Sequence, residues 1–298
     1  MATPEQLAAE RLAAIAQLEQ QLAGHVDAAQ RDLYERMLAQ LEAALADPAV
    51  LIPVLAAYQA EVLTPLATYY AQQLLHLPAL NTTYFQKLDV AGYQRLRAPL
   101  TDFLAKRLGV DATGAPTAGG YLAAVQGDTT VTQQVLKFAY SAQASGVGLT
   151  AYKQQLQQLV TGGDKAAEGV IHELYRNSGD EFSQADRALQ VVAGKELGLK
   201  AALYQGGLID SSRPFCVARN GKVFVDFEIA KFGTSADAYG GYSNKKQGLF
   251  AGKTDPYDPL INCGGHNCRH HWHFVPNVTA LRMRPDLGED GNGALFIK

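Results

Sequence analysis

The chain of 298 residues is 47% hydrophobic and 18% charged, and its formal net charge is −3. This ordinary globular balance excludes wholesale disorder, and the length favours two domains over one. The small negative charge gives no general attraction to nucleic acid or to acidic membrane surfaces. The N-terminus has neither the basic nor the apolar region of a signal peptide, and no continuous run of about 18 apolar residues occurs. We therefore expect synthesis in the cytoplasm and no contact with a membrane.

Residues 3–46 are predicted to form one long helix. Thr3 is the expected N-cap, with Pro4 at the first helical position and Gln6 at the capping-box position. The helix should be about 65 Å long, which exceeds what an ordinary domain needs. We therefore expect its apolar stripe to pack in a helical hairpin and to dock against other chains. The stripe consists of Leu12, Ile15, Leu18, Leu22, Val26, Leu33, Met37, Leu41 and Leu45.

The next 150 residues or so are predicted to be helical, interrupted first by prolines and then by glycines. Only Gly24 and Gly92, of 28 glycines, precede residue 101, and the glycine-rich stretch 109–120 is the predicted linker. Helices are expected over residues 129–145, 150–161, 164–177 and 183–199. The predicted regions are 1–112 (helical, with the long first helix), 121–200 (helical), 201–276 (a small α+β module) and 277–298 (an extended tail).

The period of the apolar residues changes from 3.6 to 2 after residue 209. Cys216–Arg219 and Lys222–Val225 flank Asn220-Gly221, which is a strong signal for a two-residue hairpin turn. Residues 270–275 also alternate. One face should hold His270, Trp272 and Phe274, and the other His271, His273 and Val275. The predicted fold class is therefore mainly α with a small C-terminal α+β module built on an antiparallel hairpin.

Cysteine and histidine are concentrated in the same region. All three cysteines, four of the seven histidines and the only tryptophan lie between residues 209 and 276. One interpretation is a structural zinc site, because tetrahedral zinc prefers thiolate and imidazole ligands, although no Cys-x-x-Cys pair occurs. The candidate ligands are Cys216, Cys263, Cys268, His266, His270 and His271.

Two other interpretations remain open. One is a disulfide between Cys216 and either Cys263 or Cys268, which a reducing cytosol disfavours. The other is packing alone, with buried thiols and hydrogen-bonded histidines behind the hairpin, and with Arg213 and Arg269 paired to nearby carboxylates. This last interpretation requires no bound group.

Four short motifs follow one another in this part of the chain. They are Tyr204-Gln205-Gly206-Gly207, Asp210-Ser211-Ser212-Arg213-Pro214-Phe215-Cys216, Asn220-Gly221-Lys222-Val223-Phe224, and Gly264-Gly265-His266-Asn267-Cys268-Arg269-His270 followed by Trp272. Their order and spacing resemble the C-terminal region of the minor head proteins of tailed phages, the head-morphogenesis family related to protein F of phage Mu. The resemblance covers less than a third of the chain.

The resemblance implies a structural protein of the virion, located in the capsid interior or the portal region and present in several copies. Its partners would be portal or capsid proteins, and its role would be head morphogenesis, DNA packaging or DNA ejection. Many relatives end in His-Pro-x-Cys-Arg-Cys, whereas here His270 stands in place of the second cysteine. The motif residues are Asp210, Arg213, Pro214, Cys216, Asn220, Gly221, Gly264, Gly265, Asn267, Cys268, Arg269 and Trp272.

The alternative function is that of a metal-dependent nuclease-like enzyme. His266-Asn267 with His270 and His271 is similar to the His-Asn-His nucleases, whose histidines bind a metal and activate water. A cysteine beside a histidine would instead supply a nucleophile. Neither pattern has diagnostic spacing, so we expect no catalytic activity and no cofactor apart from the candidate zinc. Non-specific DNA contact is expected only from a few basic residues: Lys245, Lys246, Lys253, Arg282 and Arg284.

Overall fold

The structure is a computed structural model that describes residues 2–111, 114–162, 169–175, 178–232, 234–239, 258–265 and 268–298. Within these ranges the chain is mainly helical and has a small antiparallel sheet near its C-terminus. The predicted fold class, mainly α with a small C-terminal α+β module, is therefore confirmed.

The helices are bounded as follows. They are α1 (Pro4–Ala39), α2 (Leu41–Ala46), α3 (Leu51–Tyr58), α4 (Thr64–Leu74), α5 (Leu77–Lys87), α6 (Arg97–Leu108), α7 (Tyr121–Gln126), α8 (Thr130–Ala144), α9 (Leu149–Thr161), α10 (Val170–Tyr175), α11 (Ser178–Glu196), α12 (Pro214–Arg219), α13 (Asp226–Ile229), α14 (Pro259–Asn262) and α15 (Asn277–Met283). Short 3-10 helices lie at Pro48–Val50 and Tyr93–Arg95, and a π-helical segment lies at Gln59–Leu63.

The main sheet has three strands in the order β2-β1-β3. The central strand β1 (Ala201–Gln205) pairs antiparallel with β2 (Lys222–Val225) on one side and with β3 (His271–Val275) on the other. Leu203 lies opposite Val223 in one ladder and opposite His273 in the other. Strands β4 (Leu287–Glu289) and β5 (Leu295–Ile297) form a separate hairpin.

The chain divides in space into two compact units, each made of non-contiguous segments. Unit 1 comprises Met1–Gln17, Leu74–Leu104 and Gly179–Lys298, and unit 2 comprises Leu18–Gln73 and Ala105–Ser178. The four regions predicted from the sequence are each continuous in sequence, and they therefore do not correspond to these two units. An apolar pattern shows that a helix face is buried but does not identify the segment that covers it. The glycine-rich stretch 109–120 lies within unit 2, where Val110 forms a β-bridge with Pro116.

Unit 1 contains the three-stranded sheet together with α5, α11 and the start of α1. Its core includes the aromatic side chains of Phe85, Phe182, Phe224 and Trp272, all of which are fully buried. In unit 2, α8 packs against α2, α3, α9 and α10. The Phe138 ring stacks on that of Tyr152 with centroids 5.2 Å apart, which joins α8 to α9.

The first helix is shorter than predicted. It ends at Ala39, and α2 begins after Gln40, so residues 3–46 form two helices. The predicted capping box is confirmed: the backbone N–H of Thr3 donates to Oε1 of Gln6 at 2.8 Å, and the backbone N–H of Gln6 donates to Oγ1 of Thr3 at 3.3 Å.

The apolar stripe of α1 is covered within the chain. Ile15 is buried in unit 1, whereas Leu22, Val26 and Leu33 are buried in unit 2. These buried side chains are not available to other chains, whereas Leu12, Leu18, Leu41 and Leu45 are half-buried. Docking of the stripe against other chains stays a prediction.

The predicted hairpin over residues 216–225 is also wrong. Residues 214–219 form the helix α12, in which Pro214 occupies the first helical position after Arg213 in an extended conformation. Proline is favoured at that position because its fixed φ suits a helix and its missing N–H is not needed there. Gly221, with φ of +75°, turns the chain into β2, which pairs with β1 rather than with residues 216–219.

The prolines of the second helical region do not all end a helix. The chain continues from α3 through the π-helical segment into α4, and the N–H of Thr64 donates to the carbonyl of Gln59, five residues earlier. This wider turn precedes Pro65, which has no N–H to donate.

By length and composition alone, the helical stretch Pro48–Lys87 would suffice to cross a membrane. The core helix of a soluble protein passes the same test, so the expected lack of membrane contact stays a prediction.

The remaining predicted helices agree with the structure in part, and the predicted extended tail does not. Residues 129–145 and 150–161 correspond to α8 and α9, while α11 begins at Ser178 rather than near Ser183. Part of the predicted helix 164–177 lies outside the described residues. Residues 277–298 are not an extended tail, since they form α15 and the β4–β5 hairpin.

Candidate functional site

The two faces of β3 carry different chemistry. His270 precedes the strand, and its ring stacks on Tyr204 with centroids 5.0 Å apart, while Trp272 meets the same Tyr204 ring edge-on at 4.7 Å. His271 and His273 contact Asp186 and Arg11 instead. The predicted alternation of these four residues is therefore confirmed, since successive strand side chains point to opposite faces.

Cys216, Cys268 and His270 form a compact group, called the thiol–imidazole cluster below. Cys216 lies on α12, and the other two residues lie in the segment before β3. The two Sγ atoms are 3.6 Å apart, and Cys268 Sγ is 4.0 Å from Nδ1 of His270. A potential ligand atom from each residue lies within 4.8 Å of the other two. All three side chains are buried.

Gly264 and Tyr204 line the thiol–imidazole cluster. The backbone N–H of Gly264 donates to Sγ of Cys268 at 3.2 Å. A Cβ atom on Gly264 would lie only 2.3 Å from Sγ of Cys216 and 2.9 Å from Sγ of Cys268, so the close approach requires glycine. The Tyr204 hydroxyl lies 3.5 Å from Cys216 Sγ and 3.8 Å from Cys268 Sγ.

Arg187 on α11 fixes the backbone that presents the thiol–imidazole cluster. Its guanidinium donates from Nε to the carbonyl of His270 at 2.9 Å, from Nη1 to that of Ile261 at 3.0 Å, and from Nη2 to that of Cys268. A planar guanidinium can satisfy several carbonyls at once because its donors form a rigid fork. Arg187 thereby holds the segment before β3 in place.

The two thiols of the cluster affect each other's protonation. Their mutual hydrogen bond lowers the pKa of Cys268, with His270 and Arg187 acting in the same direction, and raises the pKa of Cys216. Burial, followed by the neighbouring thiols, raises the pKa of Tyr204 well above its usual value. Of the two thiols, Cys268 is therefore the more acidic.

On the opposite face of β3 lies a second group of buried side chains, called the polar network below. Asp186 is at its centre: Arg11 Nη1 donates to Oδ1 at 2.5 Å, Asn81 Nδ2 donates to Oδ1 at 2.8 Å, and His271 Nδ1 lies 2.7 Å from Oδ2. Arg11 Nη2 lies 3.0 Å from Nδ1 of His273. The network joins α1, α5, α11 and β3 within unit 1.

Charge pairing sets the protonation of the polar network. Burial alone would raise the pKa of Asp186, but the charge of Arg11 and the hydrogen bonds from His271 and Asn81 hold it well below the usual range. Burial lowers the pKa of His271 to about 4 despite the opposing effect of Asp186. At neutral pH the network therefore contains one carboxylate, one guanidinium and neutral imidazoles.

A third buried charge lies at the end of α12. The guanidinium of Arg219 is 3.9 Å from the centroid of the Phe215 ring and 4.3 Å from that of Phe232. Its Nη2 also bonds to the carboxylate of Asp237, at 2.6 Å from Oδ1 and 2.5 Å from Oδ2. These contacts anchor α12, and with it Cys216, to the segment after α13.

The structure brings together only part of the predicted zinc ligand set. Cys216, Cys268 and His270 are neighbours, whereas His271 belongs to the polar network on the other face of β3. Cys263 is buried but lies outside the thiol–imidazole cluster. The predicted ligand His266 and the motif residue Asn267 lie outside the described residues.

The geometry also bears on the two other interpretations of the cysteines, a disulfide and packing without a bound group. The expected proximity of Cys216 to a later cysteine is confirmed, and all three cysteines are thiols in the structure. Among the arginines that were expected to pair with carboxylates, Arg269 is exposed. The buried arginines among the described residues are instead Arg11, Arg187 and Arg219.

The basic residues expected to contact DNA are only partly described. Arg284 is paired with two carboxylates, with Nη1 2.9 Å from Glu228 and Nη2 2.5 Å from Asp286. It is therefore poorly placed to neutralise a phosphate. Lys245, Lys246 and Lys253 lie outside the described residues.

Sequence reasoning did not identify Arg187, which holds the backbone of the thiol–imidazole cluster, or the buried polar residues of α1 and α11 on the other face of β3. Asp186 and Gln190 are spaced at i and i+4 in line with Phe182, and Arg11 lies at the same spacing between Leu7 and Ile15. All of these side chains are buried. A polar residue on an otherwise apolar helix stripe was the available signal for the polar network.

A separate cavity of about 680 Å³ lies in unit 2. Its titratable side chains include Asp32 and Glu61, both of which are ion-paired with Arg36. They also include His25, whose ring centroid lies 4.0 Å from that of Tyr69 with the two rings tilted by 46°. These groups already have partners, and none of the motif residues lines the cavity, so it adds no candidate site.

No family model, curated protein or solved structure matches the chain. Membership of the phage minor head protein family therefore stays a prediction that depends on the motif residues alone.

Proposed function

We propose that the chain is a structural protein of a tailed-phage virion, a minor head protein that acts near the portal in head morphogenesis or DNA delivery. The proposal begins from the four sequence motifs, which resemble that family. It is supported by the places that those motifs occupy in unit 1.

The observation that carries the proposal is that motif residues far apart in sequence are joined by direct contacts. Cys216 of the second motif is 3.6 Å from Cys268 of the fourth. The backbone N–H of Gly206, in the first motif, donates to Oδ1 of Asn220 in the third at 3.2 Å. Residues that serve one folded module are expected to meet in this way, whereas a chance succession of short motifs has no reason to do so.

The burial of the same residues favours a structural role over the nuclease alternative. Among the described residues, Cys216, Cys268, His270 and His271 are each at most 4% exposed. A nuclease needs its metal or its base to reach a phosphodiester at the surface. Side chains enclosed in the core of unit 1 are better suited to holding the module together.

The motif-bearing segment also presents apolar side chains to solvent. Leu208 and Ile209 are 47% and 46% exposed, and Val217 on α12 is 54% exposed. Neighbouring apolar side chains that are exposed together, such as the consecutive pair Leu208 and Ile209, are typical of contacts with other proteins. In the proposed virion these side chains would contact a portal or capsid protein.

Incorporation into particles is the test. Purified DNA-filled heads of a phage that carries this gene should contain the protein by mass spectrometry. A double variant, Leu208→Asp with Ile209→Asp, should be incorporated less while the isolated protein keeps its thermal unfolding temperature. Ile52→Asp is the matched control, because Ile52 is exposed to a similar extent, 51%, but lies in unit 2.

Two results would count against the proposal. One is the absence of the protein from purified heads of the phage that encodes it. The other is cleavage of DNA by the purified protein with added divalent metal, lost in a His271→Ala variant that still folds and assembles. A Cys268→Ser variant, measured in the same assays, separates thiol-dependent cleavage from histidine-dependent cleavage.

A further inference from the structure

The thiol–imidazole cluster has the composition and spacing of a metal site. Two thiolates and one imidazole are ligands that Zn²⁺ prefers. With Zn–S distances of about 2.3 Å and Zn–N distances of about 2.0 Å, tetrahedral ligands lie roughly 3.5–3.8 Å apart. The observed separations of 3.6 Å between sulfurs and 4.0 Å between Cys268 Sγ and His270 Nδ1 are close to these values.

The surroundings of the cluster are also those of a metal–thiolate site. The Gly264 N–H donates to Cys268 Sγ, and hydrogen bonds of this kind orient metal ligands. Gly264 leaves no room for a side chain beside the two sulfur atoms. Arg187, a cation, binds the carbonyls of both Cys268 and His270 and so fixes two of the three ligands from behind.

His270 provides a second, independent observation. Its ring is 2% exposed, and within the described part of the chain Nε2 has no hydrogen-bond partner. Among the residues that the structure describes, Nδ1 contacts Cys268 Sγ at 4.0 Å, the outer limit of a hydrogen bond to sulfur. Buried polar atoms nearly always have a partner, so this imidazole is poorly satisfied by the protein alone. An ion between the ring and the sulfurs would be bound by Nδ1, the nitrogen that faces Cys268 Sγ, and would give it a strong partner.

We propose that Cys216, Cys268 and His270 bind one Zn²⁺ ion that ties α12 to the segment before β3. On binding, each thiol forms a Zn–S bond and releases its proton to solvent, and the neutral imidazole donates its lone pair without losing a proton. Because the ligands are enclosed, the ion enters as the chain folds and leaves slowly. This inference does not depend on the proposed role in the virion.

The chain contains matched controls for each kind of ligand. Cys263 is a third buried cysteine outside the cluster, and His271 is the adjacent buried histidine on the other face of β3. The variants Cys216→Ser, Cys268→Ser and His270→Gln remove proposed ligands. Cys263→Ser and His271→Asn make the same kinds of change where no ligand is proposed.

The experiment measures zinc bound to the full chain, purified in reducing buffer after expression with added Zn²⁺. Elemental analysis and native mass spectrometry should give one ion per chain for the wild type, for Cys263→Ser and for His271→Asn. Each ligand variant should lose affinity by more than the roughly 10- to 100-fold effect of changing an outer-shell partner. Chelation should lower the thermal unfolding temperature of the wild type and not that of the ligand variants.

A measurement on the wild type alone tests the proposal even if the variants do not fold. Refolding it with Co²⁺ should give the visible bands of tetrahedral cobalt and a thiolate-to-cobalt charge-transfer band. Three results would overturn the proposal: folded wild type that takes up neither metal, a Cys216–Cys268 disulfide in metal-free protein, or equal loss of zinc in folded Cys263→Ser and Cys216→Ser.

Discussion

Arg11 and Asp186 form an ion pair that is almost entirely withheld from water, with side-chain exposures of 2% and 0%. Breaking such a pair leaves one buried charge without its partner, which typically costs about 3–5 kcal/mol. Arg11→Met should therefore lower the free energy of unfolding of unit 1 by about that amount. Urea denaturation followed by Trp272 fluorescence measures it, because the only tryptophan lies in unit 1.

The exposed ion pair between Lys87 and Glu10 is the control for this change. It also joins α5 to α1, but its side chains are 50% and 55% exposed. Exposed pairs contribute about 0–1 kcal/mol, so Lys87→Met should have little effect. Equal effects of the two substitutions would show that the burial of the Arg11 pair has no energetic importance.

Asp186 should also make the stability of unit 1 depend on pH. Its pKa is lower in the folded state than in the unfolded state, where it is about 3.9. The stabilisation is therefore fully present above about pH 4 and is lost as the pH falls through the folded pKa. Asp186→Asn should be less stable than the wild type at pH 7, and the difference should narrow below about pH 4. A difference that stays constant between pH 7 and pH 3 would contradict this account.

Within single helices, replacing two interior glycines with alanine should change the stability of the protein in opposite directions. Gly24 in α1 is exposed, and a Cβ there would meet nothing within 4 Å. Gly24→Ala should therefore stabilise the protein by about 0.5–1 kcal/mol, because alanine loses less backbone entropy in a helix. A Cβ on Gly194 in α11 would lie 2.7 Å from the Phe274 ring, and such overpacking typically costs about 1–3 kcal/mol.

Thermal unfolding followed by circular dichroism compares the two substitutions directly. The melting temperature should rise for Gly24→Ala and fall for Gly194→Ala. A rise for both would mean that the ring of Phe274 moves aside without cost.

Most helices could be predicted from the sequence, because their apolar spacing and caps are local signals. The Thr3 capping box and the limits of α8 are examples. The error at residues 216–219 arose because Asn220-Gly221 is a signal for a turn and does not state which strands the turn connects. Pro214, which favours the first turn of a helix, was the competing local signal.

The candidate site was predictable only in its composition. Scarce cysteines and histidines identified the right region, and strand alternation placed His270 and His271 on opposite faces. Cys268, rather than Cys263, belongs to the thiol–imidazole cluster. The Gly264 N–H donates to its sulfur and Arg187 donates to its carbonyl. Neither contact has a local signature, because the partners are far apart in the chain.

At the scale of the whole molecule, the interleaved units predict that the C-terminal region does not fold by itself. A fragment of residues 179–298 contains the sheet but lacks Arg11, Asn81 and Phe85, which belong to the same unit. It should show no cooperative thermal transition and should expose Trp272 to solvent. The full chain is the reference, measured by circular dichroism and tryptophan fluorescence. A cooperative transition with a buried Trp272 in the fragment would contradict the division into units.

The interleaving also has a consequence for biosynthesis. The segment of α1 that carries Arg11 leaves the ribosome well before Asp186 and His271 are made. At synthesis rates of about 5–20 residues per second, the interval between Arg11 and His271 is roughly 10–50 s. During that time the nascent chain displays the apolar side of α1 that unit 1 later covers. All segments of unit 2 are synthesised before the segment Gly179–Lys298 of unit 1 is complete. We therefore expect the pairing of Arg11 with Asp186 to be a late step of folding.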